Sequence, residues 1–157
     1  MENEAVTFRE MRRGDKKIVM EMMRRFYSSP AVYTSGSEKI FAANVDNCTG
    51  GSNFVEGFIF EADGKIIGYG ILAKSYSTEF GGECIWIEDI FVEAEWRGCG
   101  VGSEFIRRVA EKYSGKILRL EAEGKNSAAL AFYKKFKFKE LPYTELFLTR
   151  GEIVGKN

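Results

Sequence analysis

The sequence predicts an α/β fold in which a mixed β-sheet carries helices on both faces. Two observations support this prediction. Short apolar runs typical of strands alternate along the chain with segments whose apolar residues recur at helical spacing. Hydrophobic residues make up 45% of the 157 residues, which is sufficient for a substantial core. Because the chain has only two prolines and no repeat or low-complexity tract, we expect a single domain over residues 1–157.

The first three elements are predicted to be a strand and two helices. Residues 6–11 are expected to form a short strand. The first helix begins after Gly14-Asp15 and ends before Pro30, because apolar residues recur at helical spacing between these points. Those residues are Ile18, Val19, Met22, Met23 and Phe26. Ser37 is suited to cap a second helix, since its hydroxyl can accept a hydrogen bond from a backbone N–H of the first turn.

A β-hairpin is predicted next, followed by another buried strand. The pair Asp63-Gly64 is a strong signal for a two-residue turn, and it separates the apolar runs 54–61 and 66–76. Residues 84–92 then have the mostly apolar composition of a buried strand.

The second half of the chain continues the alternation. Residues 101–113 and 126–136 have the spacing of amphipathic helices, and residues 116–122 between them are predicted to be a strand. Two more strands are expected, one near Phe138 and one at residues 144–149. The predicted order is therefore β-α-α-β-β-β-α-β-α-β-β.

The loop after the strand 84–92 has the properties of an anion-binding site. Backbone N–H groups at a helix N-terminus attract an anion if no side chain keeps it away. Gly98, Gly100 and Gly102 remove such side chains. Arg97 adds a planar, permanently charged donor that is suited to a phosphate. The sequence therefore predicts a phosphate-binding loop with the pattern R-x-x-G-x-G.

Two common glycine motifs do not fit this loop. The dinucleotide pattern GxGxxG would need glycine in place of Ser103 or Phe105, depending on its starting point. The pattern GxxxxGK[ST] of P-loop nucleoside triphosphatases does not occur in the sequence. The loop is therefore of another phosphate-binding class.

The pattern R-x-x-G-x-G, placed directly after an apolar strand, resembles the coenzyme A loop of the GNAT acetyltransferase superfamily. A second patch, N-x-x-A-x-x-F-Y from Asn126 to Tyr133, is similar to another motif of that family. The chain departs from this motif at Lys137, where glycine is usual. Glycine at this position accommodates a positive φ, which lysine tolerates poorly. The resemblance implies a mainly antiparallel mixed sheet, the same order of elements, and acetyl-coenzyme A as cosubstrate without a metal.

The resemblance also implies which residues contact coenzyme A. They lie at the strand end, in the glycine loop, in the first turn of the next helix and in the second patch. These residues are Phe91, Val92, Arg97, Gly98, Cys99, Gly100, Val101, Gly102, Ser103, Asn126 and Phe132. Tyr133 corresponds to the tyrosine that protonates the leaving thiolate in many members. From helical spacing alone Tyr133 is also typical of a core aromatic, and Asn126 is also typical of an N-cap.

Two adjacent carboxylates, Glu88 and Asp89, interrupt the apolar strand 84–92. Because strand side chains alternate, the two point to opposite faces of the sheet. The segment W-I-E-D-I-F-V resembles the spermidine/spermine (diamine) N-acetyltransferase branch, whose glutamate is the proposed base, and this implies the same role for Glu88. Asp89 either contacts the substrate or makes a structural hydrogen bond. Glu79 is either a substrate contact or an ordinary solvated charge.

The function implied is acetyl transfer from acetyl-coenzyme A to a primary amine, in particular a small di- or polyamine. An acetyltransferase for protein N-termini or lysines and a non-catalytic acyl-coenzyme A-binding module stay open as alternatives. We expect the acceptor to bind residues in the segments 27–53 and 76–84. Pairing of final strands between GNAT subunits implies a homodimer.

Charge and cysteine content indicate which kinds of partner and which cellular compartment to expect. Lys plus Arg and Asp plus Glu both total 23, so we expect no basic field for nucleic acid or an anionic membrane. Three cysteines without a CxxC pair argue against a disulfide framework or a zinc site and favour a cytoplasmic protein. No signal-peptide pattern or membrane-spanning apolar stretch is expected. Since the chain has no histidine, acid–base roles fall to other side chains.

Overall fold

The computed structural model describes residues 5–149, which form two compact units, 5–126 and 127–149. The first unit contains one sheet whose strands are β1 (Thr7–Glu10), β2 (Val55–Ala62), β3 (Lys65–Ser77), β4 (Gly82–Val92) and β5 (Ile117–Leu120). The strands follow one another across the sheet in chain order. The pairs from β1 to β4 are antiparallel, and β5 is parallel to β4. The predicted fold class is confirmed, whereas the single domain over residues 1–157 stays a prediction.

Two helices cover one face of this sheet. They are α1 (Lys16–Tyr27) and α2 (Glu38–Thr49), close to the predicted positions. Ser37 caps α2 as predicted, since its Oγ accepts a hydrogen bond from the Ile40 N–H at 3.2 Å. The core between these helices and the sheet consists of Met11, Val19, Met22, Met23, Phe41, Val45, Ile59, Tyr69, Ile71 and Phe91.

A third helix, α3 (Val101–Lys112), covers the opposite face. Its Phe105 ring lies 4.8 Å from the Phe60 ring and 5.6 Å from the Phe58 ring, measured between centroids. Gly70 of β3 lies under Phe105, and a Cβ at Gly70 would be 2.5 Å from the nearest ring carbon. Glycine at this position therefore allows α3 to approach the sheet closely.

The hairpin between β2 and β3 forms at the predicted dipeptide. Asp63 has a φ of 53° and Gly64 has a φ of 68°. A two-residue turn of type I′ requires a positive φ at both central residues, which Asp and Gly accept more readily than other residues. The turn fixes the register of the two strands, with Ala62 opposite Lys65.

The second unit contains one helix, α4 (Ser127–Lys135), near the predicted position. The chain turns after it, because the backbone N–H groups of Lys137 and Phe138 donate to the carbonyls of Lys134 and Tyr133. Lys137 has a φ of 66°. The lysine therefore adopts the left-handed conformation for which glycine is usual at this point of the motif.

The two strands predicted after α4 are wrong for the part of the chain that the structure describes. Residues 136–149 contain no strand there. The apolar residues that suggested the final strand are exposed, with Leu146 at 89% and Phe147 at 68%. Alternation of apolar residues indicates which side chains share a face. It does not predict whether another strand lies alongside, and a strand needs backbone hydrogen bonds to such a neighbour.

Candidate active site

A β-bulge lies in the middle of β4. Ile71 of β3 is opposite Asp89, and the next residue, Leu72, is opposite Ile87. Glu88 is therefore the extra residue of the bulge. Its side chain is exposed, whereas Ile87 and Asp89 are buried. The chain thus presents one carboxylate to solvent at the centre of its sheet and buries the next.

The bulge coincides with the point at which β4 and β5 separate. The last pair between these two strands is Ile87 and Leu120. β4 continues along β3 as far as Val92, so residues 88–92 have a strand on one side only in the described part of the chain. An open strand edge presents backbone N–H and C=O groups that a ligand can bind. This edge begins at Glu88.

The glycine loop follows at the end of the same strand. Gly98 and Gly100 have φ values of 78° and 86°, which favour glycine. The Glu104 N–H donates to the Gly100 carbonyl at 2.9 Å, so the amides of residues 101–103 precede the first bond within α3. A Cβ at Gly98 or Gly100 would meet no described atom within 4 Å. The residues therefore fit an anionic group such as a phosphate of coenzyme A.

Arg97 ties this loop to the end of β4. Its Nε donates to the Val92 carbonyl at 2.9 Å, and its guanidinium carbon lies 5.7 Å from the centre of the Phe91 ring. Arg25, from the last turn of α1, lies 5.2 Å from the centre of the same ring. Arg25 also forms two hydrogen bonds with Glu93, at 2.6 and 2.7 Å. Both guanidinium groups are thus held near the strand end.

The remaining residues predicted to bind coenzyme A in this unit differ in their exposure. Phe91 is 5% exposed and packs against Tyr69 with 6.0 Å between ring centroids, so its side chain belongs to the core. Val101 is buried under the loop, and Cys99 is exposed at its tip. Gly102 and Ser103 are half-buried in the first turn of α3.

Asp89 lies on the buried side of β4 and is 4% exposed. The Tyr69 hydroxyl donates to its Oδ2 at 2.9 Å, and the Tyr27 hydroxyl donates to its Oδ1 at 3.2 Å. Burial raises the pKa of Asp89 to about 6, although the two hydroxyls act in the opposite direction. The structural hydrogen bond that the sequence left open is therefore present. Sequence reasoning missed both tyrosines, because a carboxylate in an apolar strand signals a partner without identifying it.

Glu79 lies far from this part of β4. It is exposed in the turn between β3 and β4, where Ser77 pairs with Gly82. Gly82 precedes Glu88 by six residues of extended strand, which corresponds to roughly 20 Å. The structure therefore does not bring Glu79 together with Glu88.

Tyr133 and Phe132 lie on α4 in the second unit, and Asn126 directly precedes that helix. The Tyr133 ring packs against Phe132 at 5.2 Å and against Phe138 at 5.9 Å between centroids. Burial raises the pKa of the Tyr133 hydroxyl, which therefore keeps its proton at neutral pH. A neutral phenol can serve as a proton donor. The Asn126 N–H donates to the Glu123 carbonyl at 2.8 Å.

Comparisons with known proteins agree with these features. Residues 18–138 match the acetyltransferase (GNAT) family. The chain is 31% identical over 150 residues to thialysine N-epsilon-acetyltransferase of Bos taurus, which covers 89% of this chain and 88% of that protein. It is 30% identical over 151 residues to the enzyme of the same name from Sus scrofa, with 90% and 88% covered.

Solved structures share the fold at low sequence identity. A possible acetyltransferase from Clostridium difficile 630 superimposes with a TM-score of 0.78 at 17% identity, covering 93% of this chain and 98% of the other. The aminoglycoside N-acetyltransferase AAC(6')-Iy, in complex with CoA, gives a TM-score of 0.76 at 16% identity, with 94% and 96% covered. The family match and the thialysine N-epsilon-acetyltransferase relatives go beyond the fold. This chain belongs to the GNAT acetyltransferase family and is an N-acetyltransferase.

Proposed function

We propose that this enzyme transfers the acetyl group of acetyl-coenzyme A directly to a primary amine at the end of a small aliphatic molecule. The observation that carries this proposal is the position of Glu88. An exposed carboxylate stands at the bulge of β4, where the open strand edge begins, and the glycine loop follows at the end of the same strand. One strand therefore carries a candidate proton acceptor and leads into a candidate phosphate site.

Acetyl-coenzyme A would supply phosphate groups for the loop and a thioester as the acetyl donor. Arg97 and the first amides of α3 would hold the phosphates, because the loop combines a fixed cation with N–H groups that precede the first helical hydrogen bond. The open edge at residues 88–92 would bind the extended part of the molecule through backbone hydrogen bonds. Asn126 and Phe132 are proposed to contribute further contacts.

Two side chains of this chain are proposed to move protons. Glu88 would accept the proton of the acceptor ammonium group, directly or through a water molecule. Tyr133, whose hydroxyl stays protonated at neutral pH, would donate a proton to the leaving sulfur. Each group of this kind typically contributes about 10²–10⁴-fold to the rate. A backbone N–H of the open edge would polarise the carbonyl under attack.

The acceptor class is proposed from the relatives and from the local charges. The thialysine N-epsilon-acetyltransferase relatives, at 31% and 30% identity over most of the chain, indicate an acceptor with a terminal primary amine. Small di- and polyamines share this group, and the exposed Glu88 favours a cation. A protein N-terminus or lysine stays the alternative. We do not retain the non-catalytic module, because the chain is an N-acetyltransferase.

Location and assembly belong to the same proposal. We propose a cytoplasmic enzyme, since the cysteines Cys48, Cys84 and Cys99 are all free thiols. None of the helices in residues 5–149 is long and apolar enough to cross a bilayer. A homodimer is proposed on the family resemblance alone.

An acceptor panel tests the proposed function. Rates of acetylation with acetyl-coenzyme A would be measured for thialysine, lysine, spermidine, a simple monoamine and a peptide with a free N-terminus, at low and high salt. We expect a small molecule with two or more amino groups to give the highest kcat/KM. Its KM should rise with salt, because the Debye length falls from about 10 Å at 0.1 M to about 3 Å at 1 M. A tenfold preference for the peptide would contradict the proposal.

A further inference from the structure

Asp89 is one of two buried carboxylates among the described residues, and the other is Asp15. Asp15 has a cationic partner, since Arg9 donates to both of its oxygens at 2.8 and 2.9 Å. The hydrogen bonds described for Asp89 come from two tyrosine hydroxyls instead. A buried charge without a cation is costly, and a leucine or valine at this position of the strand would avoid the cost. The arrangement therefore calls for a functional explanation.

The three side chains join three elements of the first unit. Asp89 follows the bulge residue of β4 directly, Tyr69 is a fully buried residue of β3, and Tyr27 is the last residue of α1. The Tyr27 ring also packs against Phe41 of α2, with 5.2 Å between centroids. The carboxylate is thus the point at which the bulge is tied to its neighbouring strand and to the helical layer.

Each tyrosine fixes a different part of the proposed site. A bulge re-aims the side chain at its centre and disturbs the local ladder, so the backbone there needs additional support. The bond from Tyr69 at 2.9 Å holds Asp89, and with it the backbone that carries Glu88. The bond from Tyr27 holds the end of α1, from which residues 28–37 lead to α2. This segment is part of the region in which we expect the acceptor to bind.

We propose that Asp89 is a positioning residue for acetyl transfer, which acts through Tyr69 on the backbone of Glu88 and through Tyr27 on the acceptor-binding segment. The inference rests on the proposed function and deepens it. Asp89 itself is too buried to contact the acceptor, so the substrate contact considered for it from sequence is replaced by an indirect role.

The arrangement predicts a dependence on pH in the acid range. The titratable groups that face Asp89 are Tyr69 on β3, Tyr27 on α1, Cys48 on α2 and Glu88 on β4. Burial raises the pKa of both tyrosines, and it raises the pKa of Cys48 to about 11, so these three groups stay neutral in the acid range. Asp89, with a pKa of about 6, gains a proton there. Protonation weakens its acceptance of both hydroxyl hydrogen bonds and should loosen the positions that they fix.

Steady-state kinetics of three variants test the proposal. Tyr27→Phe and Tyr69→Phe each keep the ring and remove one hydroxyl bond to Asp89, and Asp89→Asn removes the charge. Tyr113→Phe is the matched control, because the Tyr113 hydroxyl donates to the carboxylate of Glu56 elsewhere in the unit. We expect Tyr27→Phe to raise the acceptor KM roughly tenfold and Tyr69→Phe to lower kcat roughly tenfold, as expected for the loss of one such bond.

Acetyl-coenzyme A KM should stay within twofold in both variants, and Tyr113→Phe should leave all three parameters within twofold. Wild-type acceptor KM should rise as the pH falls below about 6, and this rise should be smaller in Asp89→Asn. If the Tyr27 and Tyr69 variants match the control in acceptor KM, kcat and pH profile, the two bonds are structural only and the proposal is overturned. If Asp89→Asn does not fold, the kinetics of the two tyrosine variants alone decide whether the proposal holds.

Amide hydrogen exchange separates this inference from the proposed function, because it needs no turnover. Exchange should become faster at residues 28–37 in Tyr27→Phe and at residues 88–92 in Tyr69→Phe, and neither change should occur in Tyr113→Phe. If the wild type acetylates no amine, the proposed function fails and the exchange result still decides whether Asp89 positions these segments. Unchanged exchange in both variants would overturn the inference.

Discussion

Glu88 and Asp89 are neighbours in sequence, yet the structure gives them opposite environments. Side chains alternate along β4, so the two carboxylates point to different sides of the sheet. The bulge that contains Glu88 lies where the pairing between β4 and β5 ends. Glu88 is exposed and Asp89 is 4% exposed. A proton acceptor must be reachable by its substrate, which favours Glu88 for this role and a buried, supporting role for Asp89.

Replacing the proposed base should give a loss of rate that depends on pH. In Glu88→Gln we expect kcat to fall by about 10²-fold or more near neutral pH, because the acceptor then enters as an ammonium ion with no group to deprotonate it. The loss should shrink at high pH, where free amine is abundant. Glu111→Gln, an exposed glutamate of α3 outside the proposed site, is the control. A loss that is equal at all pH values would instead indicate a structural glutamate.

Lys137 is expected to cost stability. Its φ of 66° lies in the left-handed region, which is unfavourable for residues with a Cβ. Lys137→Gly should therefore raise the free energy of unfolding by about 0.5–1 kcal/mol, after the larger chain entropy of glycine in the unfolded state is subtracted. Ala131→Gly in the middle of α4 should instead lower it by about 1 kcal/mol. Urea unfolding measures both, and a destabilised Lys137→Gly would contradict the expectation.

At the scale of elements, the strand, glycine loop and helix from β4 to α3 should behave as one phosphate site. Gly100→Val would place a side chain in the open space before the first amides of α3 and would also strain a φ of 86°. Arg97→Ala would remove the guanidinium that is tied to the Val92 carbonyl. We expect both variants to show a smaller rise in melting temperature with coenzyme A than the wild type.

Gly115→Val controls for backbone strain, because Gly115 follows α3 with a φ of 83° and also has open space around it. Both glycine variants should lower the melting temperature without ligand. Only Gly100→Val should also reduce the increase produced by coenzyme A. An equal increase in the two variants would show that the loop does not bind the ligand.

Local chemistry explains which elements could be predicted from sequence. Ser37 caps α2 and Asp63-Gly64 forms the hairpin turn because the interactions involved span only a few residues. The bulge at Glu88 is different, since it depends on the register between β3 and β4 over their whole length. The partners of Asp89 lie 20 and 62 residues away along the chain. No local pattern identifies them.

At the scale of the whole molecule, much of the proposed site follows one strand of the described sheet. β4 pairs with β3 over its length and with β5 only as far as Ile87, so within residues 5–149 its second half has a neighbouring strand on one side only. The glycine loop continues directly from that half. A sheet with this geometry can bind an extended ligand through backbone groups while side chains such as Glu88 carry the chemistry. Candidate site residues could be found from sequence, whereas this opening is a property of the assembled sheet.

The two buried carboxylates should give the folded state opposite responses to pH. Burial raises the pKa of Asp89 to about 6 from an ordinary value of 3.8. Its titration therefore adds fully to the free energy of unfolding below pH 3.8, and this addition is lost as the pH rises through 6. The hydrogen bonds from Arg9 lower the pKa of Asp15, so its contribution is present above the ordinary value and is lost as pH falls.

Asp89→Asn isolates the first of these effects, because an amide cannot titrate. Between pH 4 and 7 the wild type should lose up to about 3 kcal/mol of unfolding free energy relative to the variant, since one pKa unit corresponds to about 1.4 kcal/mol. Urea unfolding at several pH values measures the difference. Parallel curves for the two proteins would mean that Asp89 does not titrate in this range. The pH dependence expected for acceptor binding would then lose its physical basis.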